Sequence, residues 1–190
     1  ELPRPDEELK LKALNVKRAA IKLCQATNSE RKAALDCMAD SLKDNSKNIL
    51  DANKYDYENA EKKGVAPSLL SRLKLSEEKL FLGIEGVRKV KELSDPVGQL
   101  QINKELSQGL LLKRKTVPIG VLGVIFESRP DAVIQISSLA IRSANGAILK
   151  GGSEANKTNI AILNALQEGL KKSSIDKDSL CLLTNRKDSM

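Results

Sequence analysis

A chain of 190 residues, 41% of them hydrophobic, can bury a full core within one ordinary domain. Aromatic residues make up only 2% and tryptophan is absent, which argues against an all-β fold and assigns the core to Leu, Ile, Val and Ala on helices and short strands. The formal net charge of +7 favours anionic partners, and the absence of histidine excludes a Ser-His-Asp triad, a Cys-His pair and an HExxH zinc site, leaving acid–base work to carboxylates and lysines.

Between Asp6 and about Gln25 the apolar residues Leu9, Val16, Ala20 and Leu23 recur at helical spacing behind Asp6, Glu7 and Glu8, whose charges favour a helix start. A second helix follows Asn28 and Ser29, taken as its N-caps, with Leu35, Met38, Ala39 and Leu42 on one face. Asn45-Ser46 interrupts it, and helix resumes at Lys47 and runs to Lys63, where Gly64 supplies a stop. Pro67 opens a short helix ending at Leu73, and Ser76-Glu77-Glu78 opens another whose stripe is Leu80, Ile84 and Val87. Ser94-Asp95-Pro96 marks a change of character: 97–102 and 110–117 read as strands around Gly109, an expected hairpin that Lys113, Arg114 and Lys115 place partly in solvent.

After Pro118 the unbroken apolar run Val121-Leu122-Gly123-Val124-Ile125-Phe126 reads as a strand buried on both faces in a parallel sheet. Residues 131–144 follow with helical spacing at Val133, Ile136, Ala140 and Ile141, stopped by Asn145-Gly146. A strand Ala147–Lys150, a turn at Gly151-Gly152, a helix 154–170 and a strand at Leu180–Leu183 complete a β-α-β-α-β succession. Right-handed crossovers make its strands parallel, so the fold class is α/β, with N-terminal helices preceding the sheet. The strand at Leu180–Leu183 is expected to leave an unpaired edge that makes the isolated chain marginally stable or self-associating.

In an open parallel sheet, ligands bind beyond the carboxyl ends of the strands. The segments there are Glu127-Ser128-Arg129-Pro130 and Lys150-Gly151-Gly152-Ser153-Glu154. The second offers a cation, two residues without side chains that let a ligand approach the backbone, and a helix N-terminus that attracts anions, a combination suited to a nucleotide cofactor. There is no G-x-G-x-x-G, only Gly120-Val121-Leu122-Gly123, so a plain turn with a solvated lysine stands as the alternative. Arg129, held out of helical geometry by Pro130, is placed to aim its guanidinium at a carboxylate or phosphate, or else to pair with Glu127.

Other classes find little support. Basic residues are interspersed with acidic ones and stacking aromatics are nearly absent, which disfavours nucleic acid, and no run of 18 apolar residues exists to cross a membrane. Cys24, Cys37 and Cys181 are odd in number and widely spaced, which reads as reduced, buried structural thiols. No metal-ligand spacing occurs. The start at Glu1-Leu2-Pro3-Arg4-Pro5 without Met and the end at Asp188-Ser189-Met190 raise the expectation of a piece cut from a longer chain.

The stretch Val117-Pro118-Ile119-Gly120-Val121-Leu122-Gly123-Val124-Ile125-Phe126-Glu127-Ser128-Arg129-Pro130-Asp131 resembles the signature of γ-glutamyl phosphate reductases (glutamate-5-semialdehyde dehydrogenases), members of the aldehyde dehydrogenase superfamily. Asn145–Glu154 is similar to a second block of that family, and Ser94–Gly98 and Asp51–Lys54 to its helical N-terminal region. The resemblance implies an aldehyde-dehydrogenase-type nucleotide-binding domain of which 118–190 is the first part, preceded by a helical region at 1–93 and a hairpin-like segment at 94–117, with the catalytic domain outside this chain. It implies NADPH-dependent reduction of γ-glutamyl phosphate to glutamate-5-semialdehyde with phosphate release, in proline biosynthesis, through a thioester on a cysteine that none of the three present here matches.

By the same resemblance, Lys150 reaches the adenosine ribose of NADPH and Glu154 takes the neighbouring ribose position, with Gly151, Gly152 and Ser153 in the cofactor loop. The pair Gly151-Gly152 departs from the Pro-type spacer of many aldehyde dehydrogenases. Ser128 stands where many of them carry an oxyanion-stabilising Asn, so either Ser128 or backbone donors would meet the oxyanion, and with Arg129 it forms the candidate substrate site. The implied partners are γ-glutamyl phosphate, a glutamate kinase (fused or separate) and further copies in a homo-oligomer, with no nucleic acid and no membrane. The implied location is the cytoplasm, or alternatively a mitochondrion or plastid. A bifunctional delta-1-pyrroline-5-carboxylate synthase, in which the kinase precedes the reductase, is one source of such a piece, and a monofunctional bacterial-type enzyme is another. The rival is a non-catalytic fragment that binds nucleotide or associates with other subunits.

Overall fold

The structure, a computed structural model, describes residues 7–184. Asp6 of the expected first helix and the two terminal segments quoted above lie outside the described residues. Five helices come first: α1 (Glu7–Gln25), α2 (Asn28–Asp44), α3 (Ser46–Lys62), α4 (Pro67–Leu73) and α5 (Glu77–Glu92). The strands β1 (Leu100–Ser107) and β2 (Leu110–Lys115) follow, then β3 (Val121–Ile125), α6 (Pro130–Arg142), β4 (Gly146–Lys150), α7 (Asn156–Lys171) and β5 (Leu180–Leu182). Short 3-10 turns at Ser153–Ala155 and Lys177–Ser179 precede α7 and β5.

Local chemistry sets these boundaries. The N-cap of α2 is Thr27 and not Asn28 or Ser29: its hydroxyl accepts from the Glu30 N–H at 3.2 Å, and Glu30 accepts the Thr27 N–H at 2.7 Å. That reciprocal box needs a carboxylate three residues after the cap, which only Thr27 has among the three. Asn28 instead accepts a hydrogen bond from Arg142 at 2.6 Å. At the end of α6 the left-handed residue is Ala144, at φ 58°, and Asn145 joins β4 to the chain before β3 by accepting the Gly120 N–H at 2.8 Å.

One core joins the early helices to the sheet. Leu35, Met38 and Leu42 of α2 pack with Ile84 and Val87 of α5, Ile134 and Ile141 of α6, Leu149 of β4, and Ile162 and Leu166 of α7. At ~25 cal/mol per Å² of apolar surface removed from water, each such side chain contributes about 1.5–3 kcal/mol. The parallel sheet runs β3-β4-β5, with β4 in the centre.

Two expectations fail on burial. The run 121–126 is not buried on both faces, because β3 is an edge strand and Ile125 is 83% exposed. Phe126 has left the strand, although its N–H still bonds to the Lys150 carbonyl at 3.0 Å. Cys24 is exposed on α1 beside buried Leu23, and Cys37 and Cys181 are only half-buried, so none is a core thiol.

The hairpin forms, as expected, but its first strand runs over 100–107 and not 97–102, because 97–99 are taken up at its root, where the Gly98 N–H bonds to Thr116 and the Thr116 N–H to Gln99. Both strands are exposed almost throughout, more than their basic residues alone imply.

The root of the hairpin is held by a buried charge network. Arg31 and Arg142 are 2% exposed. Arg31 donates to Asp95 at 2.8 Å and to the Arg142 carbonyl at 2.8 Å, while Arg142 donates to the Leu93 carbonyl at 2.5 Å. Partial burial by itself pushes the Asp95 carboxyl up. The Val97 N–H, the Arg31 guanidinium and the charge of Arg142 outweigh it and hold the group below its ordinary value. A depressed carboxylate stabilises the fold fully above its unfolded-state pKa of about 3.9, and that stabilisation is lost as pH falls through the folded value.

Removing one partner of a buried pair leaves an uncompensated charge. We therefore expect Asp95→Ala to lower the unfolding free energy by about 3 kcal/mol near neutral pH in urea titrations. The difference from wild type should shrink as pH falls below about 4; a difference independent of pH would contradict this assignment.

Candidate functional site

The crevice beyond the carboxyl ends of β3 and β4 is built from the two loops that the sequence singles out, and a hydrogen bond joins them. Ser128, 7% exposed, donates its hydroxyl to Glu154 Oε2 at 2.8 Å. Ser153 Oγ lies 3.2 Å from the other carboxylate oxygen. The Glu154 carboxyl is held below the usual carboxylate range by its own backbone N–H first and by the Ser128 hydroxyl next, with Ser153 and the charge of Lys63 adding to them against partial burial. It is ionised at neutral pH.

The two glycines serve the protein's own packing. A Cβ on Gly152 would stand 2.4 Å from Ser128 Oγ and 2.8 Å from Glu154 Oε2, and one on Gly151 would stand 2.4 Å from Asn159 Nδ2 and 3.0 Å from the Phe126 ring. On the side that a Cβ would occupy, these positions are filled by Ser128, Glu154, Asn159 and Phe126.

The helix N-terminus differs from expectation as well. A 3-10 turn occupies 153–155, and α7 starts at Asn156. One of its first-turn residues is met from α3: Asp56 Oδ2 accepts the Thr158 N–H at 2.8 Å and the Thr158 hydroxyl at 2.7 Å. Burial, the largest influence, pushes the Asp56 carboxyl above its ordinary value against the Thr158 donors and the charge of Lys157. Asn53, one turn earlier on α3, donates to the Leu73 carbonyl at 2.9 Å and accepts the Leu75 N–H at 2.8 Å. Ala155 packs with Ala60 and Leu73 in a small apolar cluster. The loop is thus clamped to α3 and α4, and the helix dipole there is answered by the protein's own carboxylate.

Lys150 closes β4, half-buried, and among the described residues no carboxylate lies within ion-pairing distance of its Nζ. Lys157 is engaged elsewhere, its Nζ 3.4 Å from the centre of the Tyr55 ring. Lys150 and Glu154 flank the Gly151-Gly152-Ser153 turn, one a cationic donor and the other an ionised acceptor. At the start of α7 Asp56 already takes the Thr158 N–H and hydroxyl, and so competes with an anion for that helix end.

Arg129 and Glu127 do not pair. Glu127 accepts from Arg72 at 2.6 Å, and Arg129, with 58% of its side chain exposed, lies 3.3 Å from Asp131. Pro130 at the first position of α6 orients Arg129 away from the strand, and its guanidinium borders a groove of about 770 Å³ between α5 and α6. Arg72, Lys79 and Arg129 line that groove together with one carboxylate, Asp131, and with Leu82 and Leu139. Ser128 is not among its lining residues. The sequence reading missed Asp56, Asn53, Thr158 and Arg72. The detectable signal was two polar residues, Asn53 and Asp56, at helical spacing on the same buried face as Ile49 and Ala60.

No model of a protein family matches the chain. It is 66% identical over all 190 residues to a gamma-glutamyl phosphate reductase of Prochlorococcus marinus strain MIT 9515, and 53% identical over 189 residues to one of Synechococcus sp. strain CC9605. The chain spans 44% of the length of the first and 43% of the second. Among solved structures, the gamma-glutamyl phosphate reductase of Thermotoga maritima superposes with a TM-score of 0.90 at 37% identity, covering 94% of this chain and 43% of that one. A putative aldehyde dehydrogenase of Bacillus subtilis, 14% identical, matches over 95% of this chain and 36% of its own with a TM-score of 0.72, a likeness of fold. Over its whole length the chain is homologous to somewhat less than half of a gamma-glutamyl phosphate reductase, and it folds as the matching part of that enzyme does.

Proposed function

We propose that this chain supplies the adenosine-ribose side of the cofactor site, and one wall of the substrate site, in an NADPH-dependent gamma-glutamyl phosphate reductase. The observation that carries this reading is Lys150: a cation without a carboxylate partner among the described residues, at the carboxyl end of the central strand, in a chain 66% identical to curated reductases. Bound there, NADPH would supply the hydride that takes an acyl group to glutamate-5-semialdehyde. Lys150 would hydrogen-bond the ribose, and Glu154, already ionised, would be its polar neighbour. The turn Gly151-Gly152-Ser153 keeps the loop close to the sheet.

Arg129 is assigned to γ-glutamyl phosphate. It lines a groove that also carries Arg72, Lys79 and Asp131, and a planar fork suits a phosphoryl or carboxylate group that would displace Asp131 from it. The thiol that displaces phosphate and releases the aldehyde after hydride transfer is not assigned to Cys24, Cys37 or Cys181: the first two lie on α1 and α2, and the third lies within β5. A glutamate kinase, fused or separate, would supply the acyl phosphate, and homo-oligomerisation of the full-length enzyme belongs to the same reading. Among the described residues no helix is long and apolar enough to cross a membrane.

The test is NADPH oxidation by a reductase of the relatives' full length that carries this chain, fed by a glutamate kinase with glutamate and ATP. We expect turnover that requires the kinase; none with an intact thiol-bearing enzyme would overturn the reading. Lys150→Ala should raise the Kd and KM for NADPH about tenfold or more, the cost of a charge-assisted hydrogen bond. Unchanged values would remove Lys150 from the site. Arg129→Ala should raise the KM for γ-glutamyl phosphate about tenfold while changing that for NADPH much less, and equal losses for both would remove Arg129 from the substrate wall.

A further inference from the structure

We infer that Ser128 sets cofactor specificity by latching Glu154, and that it is not the donor that meets a developing oxyanion. The inference rests on the reading of Lys150–Glu154 as the adenosine-ribose site, and it concerns what separates NADPH from NADH there, the 2′-phosphate.

A serine hydroxyl carries one proton. Here that proton is donated to a carboxylate at 2.8 Å, a stronger acceptor than a neutral carbonyl. Ser128 is 7% exposed and does not line the groove that Arg129 borders. Its hydroxyl is therefore committed to Glu154.

The hydrogen bond also decides where the Glu154 charge sits. The carboxylate is drawn over Gly152, whose missing Cβ leaves room for both oxygens: a methyl there would lie 2.4 Å from Ser128 Oγ and 2.8 Å from Glu154 Oε2. Ser153 holds the second oxygen at 3.2 Å. A carboxylate turned into its own loop accepts less well from a ribose 2′-hydroxyl and repels a 2′-phosphate less strongly. Lys150, with no carboxylate partner among the described residues, remains to attract that phosphate. Release of Glu154 would reverse both effects, favouring the 2′-hydroxyl and penalising the phosphate. For a unit charge about 6 Å from a phosphate dianion in water, the repulsion amounts to about a tenfold change in affinity.

The experiment is a binding cycle in the full-length enzyme, titrating NADPH and NADH by fluorescence into wild type, Ser128→Ala, Glu154→Gln and the double variant. Ser128→Ala should lower the NADPH:NADH affinity ratio about tenfold, by weakening NADPH and tightening NADH. Glu154→Gln, which removes the charge and keeps an acceptor for Ser128, should raise the ratio severalfold. In the Glu154→Gln background Ser128→Ala should leave the ratio unmoved, an outcome that loss of packing at residue 128 would not give. Turnover separates the roles further: a latch changes KM for the cofactors more than kcat at saturation.

A Ser128→Ala variant with an unaltered affinity ratio, or with the same shift whether or not Glu154 carries its charge, overturns the inference. So does a loss confined to kcat, which would return Ser128 to the oxyanion. Lys150→Ala in the same titrations keeps the two readings apart. If it weakens NADPH while Ser128→Ala leaves the ratio alone, the latch fails and the cofactor site stands. If it alters neither cofactor, the site reading itself fails.

Discussion

Thr158, in the first turn of α7, gives both its N–H and its hydroxyl to the buried carboxylate of Asp56, a residue 102 positions earlier in the chain. A helix N-terminus left unsatisfied inside a protein is costly, and a buried carboxylate without donors is costlier. Each cancels the other's deficit, so α3 and α7 can adjoin only in this register. Because Ser153, Glu154 and Ala155 immediately precede α7, that register also fixes the loop that carries the candidate cofactor residues. The Ser128–Glu154 hydrogen bond and the Gly152 contact are made by that loop, while Lys150 is placed by the pairing of β4 with β3.

The site is thus shared between regions far apart in sequence. Asn53 and Asp56 come from α3, Leu73 from the end of α4, Ser128 and Arg129 from the β3–α6 turn, and Lys150 to Glu154 from the β4–α7 turn. The same architecture explains which charges are free. Asp56 answers the α7 dipole, Glu127 is taken by Arg72, Lys157 lies over Tyr55, and Asp95 is committed to Arg31. Among the described residues Lys150 is left without a carboxylate partner, while Arg129 has an exposed contact to Asp131. A cation whose neighbours do not neutralise it can be neutralised by an anionic ligand, which is the physical basis for assigning Lys150 to NADPH, while Arg129 would have to exchange its exposed Asp131 contact for an acyl phosphate.

Much of the fold was legible in the sequence because helices declare themselves through periodicity. The stripe Leu80, Ile84, Val87 and the Pro67 start were placed correctly from spacing and from local rules for helix ends. The β-α-β-α-β succession was also read correctly. The misreadings have physical sources. Hydropathy states that Val121–Phe126 suits a buried environment but not whether a neighbouring strand is present, so an edge strand with Ile125 open to solvent looks like an interior one. The α2 cap was legible, since Thr27 and Glu30 form the box, but the polar pair Asn28-Ser29 was a stronger lure. The two contacts that organise the site, Asp56 with Thr158 and Ser128 with Glu154, span 102 and 26 residues and leave no local pattern. Gly151 and Gly152 also admit neighbouring side chains, a packing role that spacing does not show.

The account stands or falls on where the adenosine half of the cofactor lies. A crystal structure of the full-length reductase with NADP bound would decide it. The account predicts the adenosine ribose within hydrogen-bonding distance of Lys150 Nζ, the 2′-phosphate beside that ammonium, Glu154 still accepting from Ser128, and no phosphate at the start of α7. An adenosine bound away from β4, or a pyrophosphate seated on the Thr158 N–H in place of Asp56, would contradict it.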